Sequence, residues 1–229
     1  MSSLGKLVWI TGRSGAGKTT LGENFKKLDD WVHFDSDIWV NGGDPLEDSG
    51  QIPTKEMLEK KDPVVGSIYT EMVMKGFMAL FNDEDPDISV WKSYHVCLCS
   101  AIIQVREKVK PKNVAVSMAV YPRKLRDFLR TVLHDVTFIV LDTNVQLLVD
   151  RKFAQVMEAA KKQGKTLQQL QAQFGKENET EQTVRASMAK NSKGFEPACS
   201  DEPNTIGVSV NEQMTTDDVF KHVKNELKI

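Results

Sequence analysis

Gly12-Arg13-Ser14-Gly15-Ala16-Gly17-Lys18-Thr19 fits the spacing G-x-x-x-x-G-K-[ST], and it lies between an apolar run and a helical stretch. Glycines so placed let a backbone wrap a polyphosphate closely enough that successive N–H groups and the positive end of a helix point at its oxygens. In such a loop Lys18 supplies a point charge to the β- and γ-phosphates and Thr19 offers its hydroxyl to Mg²⁺. Residues 12–20, Thr20 included, are therefore expected to bind ATP, with Mg²⁺ as the accompanying ion. A second group is Phe34-Asp35-Ser36-Asp37, two carboxylates at the end of the next apolar run. One can hold Mg²⁺ through water and the other can accept a proton from a hydroxyl that attacks the phosphate. Turn or cap acids would look the same in sequence, since Asp is common in both.

Both groups need a scaffold that brings the ends of neighbouring strands together. Residues 6–10 read as a strand, 18–28 as a helix and 31–34 as a strand, a βαβ opening. In an open parallel sheet the carboxyl ends of the strands line the ligand crevice, so Asp35 and Asp37 should face the pocket of the glycine-rich loop. After a punctuated segment at 41–63, Tyr69, Met72, Val73, Phe77 and Leu80 recur at helical spacing. A second helix over 91–108 carries Leu98, Ile102, Val105 and Val109 on one face. Strands follow at 114–120, 136–141 and 205–210, with helices at 122–133, from Val145 onward, and at 215–227. Apolar strands alternating with helices indicate an α/β fold, a five-stranded parallel sheet covered on both faces in three α/β/α layers. The expected single domain has a core of 1–37, 110–155 and 195–229, a helical acceptor-binding insert at 38–109 and a lid at 156–194. The lid stretch is polar, with Lys161-Lys162-Gln163-Gly164-Lys165 and Glu177-Asn178-Glu179 and sparse apolar positions at Leu167, Leu170 and Phe174. It reads as a mobile helical excursion on the surface.

Composition limits the partners. The chain has 229 residues, 40% of them hydrophobic, enough for one domain with a sizeable core. Its 30 Lys and Arg against 32 Asp and Glu leave a formal charge of −2, without the basic footprint that a duplex or an anionic membrane attracts. The expectation is a small-molecule acceptor, no nucleic acid, no membrane, and a monomer or homodimer. No uninterrupted apolar stretch approaches the roughly 18 residues of a span, and the N-terminus lacks a signal-peptide layout, so the expected location is cytoplasmic. Cys97, Cys99 and Cys199 read as buried thiols, and the scattered His33, His95, His134 and His222 predict no transition-metal site.

The glycine-rich loop, the Asp35-Ser36-Asp37 turn, Arg126-Asp127-Phe128-Leu129-Arg130, the strand at 136–141 with Leu147-Leu148-Val149-Asp150-Arg151, and Phe195-Glu196-Pro197 through Asp201-Glu202 occur in one order. In that order they resemble the small P-loop metabolite kinases, especially the gluconokinase and shikimate kinase group. Val8-Trp9-Ile10-Thr11-Gly12 also looks like adenylylsulfate kinase. The resemblance implies the strand order of nucleoside monophosphate kinases, an acceptor section before the third strand and a lid after the fourth. It implies Asp35 toward Mg²⁺, Asp37 on the acceptor hydroxyl, and Arg151 opening the lid and packing on the adenine. Arg126 and Arg130 match family positions beside the acceptor, and with Arg123 they make a basic face suited to an anion. The implied activity is ATP-dependent phosphoryl transfer to a hydroxyl of a small anionic, sugar-acid-like metabolite. The alternatives are a nucleoside, nucleotide or adenylylsulfate kinase, or a nucleotide-responsive binding module with weak turnover. The chain departs from the family at Gln155, where a second lid arginine is usual. Lys152, Lys161, Lys162, Lys165 and Arg185 are the candidates to replace it. Pro122 and Met118-Ala119-Val120 also stand where gluconokinases carry Lys and Cys-Ser-Ala.

Overall fold

In a computed structural model the described residues are 4–162, 164–172 and 180–229. Gln163, Phe174 and Glu177-Asn178-Glu179, named above in the lid, lie outside them, as does the side chain of Leu170. Five strands, β1 (Leu7–Gly12), β2 (Trp31–Asp35), β3 (Asn113–Ser117), β4 (Val136–Thr143) and β5 (Thr205–Val210), form one sheet in the order β2-β3-β1-β4-β5. Every pairing is parallel, with Leu7 opposite both Val114 and Val136, Asp35 opposite Ser117, and Leu141 opposite Val208. The alternation of side chains along β1 divides the core in two. Leu7 and Trp9 face one layer with Phe34, Trp91, Leu98 and Phe138. Val8 and Ile10 face the other with Leu21 and Phe25 of α1 (Lys18–Lys26) and Val219 and Val223 of the last helix.

β3 is shorter than its apolar run. Past Ser117 the chain leaves the sheet because the Thr11 hydroxyl takes the place of the ladder, accepting from Val120 N–H at 2.7 Å and donating to Val120 O at 3.1 Å. The segment between β2 and β3 holds α2 (Ser36–Val40), α3 (Lys55–Glu59), α4 (Pro63–Met72), α5 (Met78–Phe81) and α6 (Ser89–Val109). The helix expected around Tyr69 to Leu80 is not uniformly α. It widens to a π-helical turn at Val73–Phe77, where Gly76 lies against Trp91 so closely that a Cβ would come within 2.9 Å of the indole. The helical run Pro63–Phe81, at 19 residues and mean hydropathy 1.3, is long and apolar enough to cross a membrane by length and composition alone, although Glu71 and Lys75 interrupt it. Here its Tyr69 and Phe77 pack on Tyr94 and Trp91 of α6, with ring centroids 5.2 and 4.9 Å apart.

α7 (Arg123–Val132) follows β3, and α8 (Val145–Lys162), α9 (Leu167–Ala172) and α10 (Glu181–Lys190) follow β4. α11 (Thr216–Leu227) closes the chain. The described part of the stretch expected to be a lid is anchored by side chains outside the expected set. Val184 of α10 and Phe153 of α8 are buried, and the Arg185 guanidinium sits 4.2 Å over the Phe153 ring while bonding Asp150 at 2.6 Å. Among the cysteines only Cys99 is buried; Cys97 is half-buried and Cys199 is exposed, so the reading of all three as buried thiols is corrected.

His95 of α6 lies in the core, its Nδ1 2.8 Å from Trp91 O and its ring 6.3 Å from that of Trp9. Burial lowers its pKa to about 4, although the Trp91 carbonyl opposes that shift. The unfolded chain therefore binds this proton first as pH falls. Stability is full above about pH 6.5, and His95 should subtract up to about 3 kcal/mol as pH drops from there to about 4. Urea unfolding at stepped pH should show that slope in the wild type and a shallower one in His95→Leu; equal slopes would exclude His95 as the cause.

Candidate active site

β1 delivers the chain to the loop at Gly12, and α1 begins at Lys18. Gly15 and Gly17 take φ values of 87° and 97°, which side-chain-bearing residues rarely adopt. A Cβ at Gly17 would meet no atom within 4 Å, so the space beside the loop is open there. The Lys18 ammonium donates to Gly12 O and Arg13 O, each at 3.1 Å. Burial lowers its pKa to about 8 against the attraction of Asp37, and Lys152 pushes the same way as burial. An ammonium in that position gains from an anion placed in the loop. Ser14 through Thr20 border a cleft of about 570 Å³ together with Asp37, Arg151, Gln155 and Thr215. Arg13 has another task. Its guanidinium bonds Asp142 at 2.8 Å, Thr143 O and Ser192 O, and lies 4.3 Å over Phe195, which leaves its backbone for the loop.

The acidic turn separates two jobs. Asp35 is buried, and its oxygens accept from Asp37 N–H at 3.0 Å, capping α2, and from Gly50 N–H at 3.1 Å. Asp37 is open to the cleft and borders the loop cavity, a shallow cavity that also holds Thr19 and Asp35, and a third one toward α4 and α5. Loss of water between those walls raises the Asp37 pKa; Lys18 opposes the shift and Asp35 adds to it. Beneath the turn, His33 joins Glu23 at 2.9 Å, Ser49 at 2.8 Å and Ser117 at 3.0 Å, a cluster that anchors the loop after α2. Nothing in the spacing of these residues in sequence signals that contact.

Of the candidate lid cations, Lys152 comes to the site. It borders the third cavity with Ser14, Lys18 and Asp37, and a Cβ on Gly15 would lie 3.1 Å from its Cγ. Arg185 pairs with Asp150 and Glu181, and Lys162 with Glu158 at 2.8 Å. Neither these nor Lys161 and Lys165 border the three cavities. The arginines of α7, expected beside an acceptor, do not border these three cavities and bond carboxylates instead. Arg123 pairs with Asp201 at 3.0 Å, Arg126 is fully buried on Glu202, and Arg130 bonds Asp127, Glu202 and Thr205. Their charge is neutralised by carboxylates within the protein.

No family model and no curated protein matches the sequence. Solved structures do match. A sugar kinase from Janibacter sp. HTCC2649, in unliganded form, is 12% identical over 98% of this chain and 95% of its own, with a TM-score of 0.51. The chain has the P-loop kinase fold. A gluconokinase from Sinorhizobium meliloti 1021 is 13% identical over 100% of this chain and 98% of its own, at a TM-score of 0.47. At such identities the likeness concerns the fold alone.

Within this P-loop kinase fold the residues present suit a nucleotide with its magnesium ion. The open space beside the loop and the Lys18 ammonium, bonded only to carbonyls, fit a polyphosphate. Among the described residues no group of three or more His, Cys, Asp or Glu could cage a metal by itself. Thr19 and Asp35 border one cavity, and that sparse donor set suits an ion that keeps waters and takes phosphate oxygens. Tyr121 escaped the sequence reading. Just past β3, its hydroxyl accepts from Ser14 N–H and donates to Asn191 O, each at 3.3 Å, tying the loop to the residue that follows α10.

Proposed function

We propose that the chain is an ATP- and Mg²⁺-dependent kinase that moves the γ-phosphoryl group to a hydroxyl of a small metabolite. The observation that carries this reading is the position of Asp37, which borders both the phosphate-loop cleft and the adjoining cavity toward α4 and α5. In the proposed reaction an acceptor hydroxyl in that cavity loses its proton to Asp37 as its oxygen attacks the γ-phosphorus. The bond to the β–γ bridging oxygen breaks and ADP leaves. The raised pKa of Asp37 suits it to take that proton. Lys18 and the loop N–H groups hold the phosphates, Thr19 and Asp35 would hold Mg²⁺ directly or through water, and Arg151 borders the nucleotide side. Bound Mg²⁺ would neutralise phosphate charge.

Lys152 takes the part of the missing lid arginine in this reading, set beside Lys18 where charge develops. Lys152→Gln should lower kcat on the order of 10- to 10²-fold, below the loss for a fully enclosed donor because Lys152 is half-exposed. Affinity for a non-hydrolysable ATP analogue should hold, and Arg185→Gln should keep full turnover. Equal losses in the two variants would remove Lys152 from the site.

The reading as a whole is tested by binding and turnover together. AMPPNP with Mg²⁺ should stabilise the chain by about 2.7 kcal/mol at a hundredfold excess over Kd. ADP should form from ATP only with an acceptor, mole for mole with its phosphate ester. No stabilisation at millimolar AMPPNP would overturn it.

A further inference from the structure

The cavity that Asp37 borders toward α4 and α5 measures about 430 Å³, within the range of small-ligand sites, and its two ends differ in chemistry. At the phosphate end are Ser14, Lys18, Lys152 and Asp37. The remainder is walled largely by carbon, with Tyr69, Val73, Phe77, Phe81 and Tyr121 prominent. These rings support one another. Phe77 meets Tyr121 edge-on at 5.2 Å and 86° and Trp91 at 4.9 Å and 89°, while Tyr121 meets Phe195 at 5.6 Å and 86°. The Tyr121 hydroxyl is fixed to Ser14 and Asn191. The wall is therefore pre-formed.

Charge points the same way. The cations bordering this cavity, Lys18 and Lys152, both lie at its phosphate end, and the α7 arginines that could have met a carboxylate are held by Glu202, Asp201 and Asp127. A polyhydroxy acid seated here would turn most of its hydroxyls toward rings, where they lose water with few polar groups besides those of Tyr69 and Asn191 to meet them. It would also bury its carboxylate without a counter-charge at that end. A flat apolar ring loses nothing by the exchange and stacks on the wall. We propose that the phosphoryl acceptor is a neutral alcohol whose hydroxyl is carried by a planar, largely apolar ring system, and not a sugar acid.

The proposal rests on the kinase reading, and the test separates them. The full chain with Mg²⁺ and AMPPNP is titrated by calorimetry with 2-phenylethanol, indole-3-ethanol, thymidine, adenosine, gluconate and shikimate, and each is then assayed for turnover with ATP. The simple aromatic alcohols and the nucleosides are separate arms that distinguish the two sources of such a ring. At least one ring alcohol should bind and be phosphorylated, with kcat/KM at least tenfold above either hydroxy acid. Phe77→Leu, which keeps bulk and removes the flat face, should raise its KM several-fold with AMPPNP affinity unchanged; Phe81→Leu gives a second reading if Phe77→Leu does not fold. AMPPNP binding combined with preference for a hydroxy acid, no binding of any ring probe, or binding without transfer would overturn the proposal alone. Absence of AMPPNP binding would overturn both it and the kinase reading.

Discussion

Asp37→Asn is expected to lower kcat by about 10²- to 10⁴-fold while leaving nucleotide affinity in place, the range for removal of a general base. The exchange preserves shape and removes the proton acceptor. Asp37 is the first residue after the α2 helix start at Ser36, and its backbone N–H is held by Asp35, so the backbone that carries the side chain is set without its charge. The proton acceptor is tuned by its surroundings. Loss of water raises its pKa, Asp35 adds to the rise and Lys18 opposes it. The acid limb of the wild-type pH–rate profile should therefore lie above the ordinary carboxylate range, with activity rising as pH passes upward through it. That limb should vanish in Asp37→Asn. Should AMPPNP binding collapse and kcat survive, the roles of Asp35 and Asp37 are exchanged.

What could be read in the sequence, and what could not, follows from the range of the contacts. The phosphate loop is local: strand, glycines, Lys18 and helix lie within twenty residues, and the structure holds them as their spacing implied. The apolar runs marked all five strands: β1 to β4 are buried along most of their length and carry few polar residues, while β5, at the sheet edge, keeps Val208 and Val210 buried and leaves Gly207 and Ser209 exposed. The function of α7 was not legible. Arg126 and Arg130 looked available to a ligand because their partner Glu202 is 76 and 72 residues away in sequence. Tyr121, Phe77 and Phe195 were hidden in the same way, each an ordinary apolar or aromatic position until folding stacked them. The π turn at Val73–Phe77 has no composition signal either; it arises where Gly76 meets Trp91.

The buried pair on α7 yields the second large effect. Arg126 is fully buried, with Nε 2.7 Å and Nη2 2.9 Å from the two oxygens of Glu202 and further bonds to the carbonyls of Tyr121, Glu196 and Pro197. Burial alone would raise the Glu202 pKa, but hydrogen bonds from Arg126 and Arg130 hold it at about 2. Arg126→Met leaves that carboxylate with Arg130 alone and three carbonyls short of a donor. The expected loss is about 3–5 kcal/mol, the usual cost of stranding one partner of a buried pair. For a chain of this size that corresponds to a drop in Tm of about 6–20 °C. The pH dependence gives a second readout. A carboxylate whose folded pKa lies below its unfolded value stabilises the fold above the unfolded pKa and ceases to do so as pH falls toward the folded one. Wild-type stability from Glu202 should therefore fade between about pH 4.5 and 2, and in Arg126→Met, where fewer donors hold the carboxylate ionised, the fade should be smaller and end at higher pH. Arg126→Met combined with Glu202→Leu removes the stranded carboxylate and should recover part of the lost stability, the three carbonyls still lacking their donor and Arg130 keeping Asp127 and Thr205. Arg126 also fixes the carbonyl of Tyr121, the residue that joins the phosphate loop to the ring wall, so the double variant should still show a raised acceptor KM despite its partly restored stability. A single variant that melts within a degree of the wild type would mean that the carboxylate finds other partners and that α7 is held by its apolar face, Leu125 and Leu129, alone.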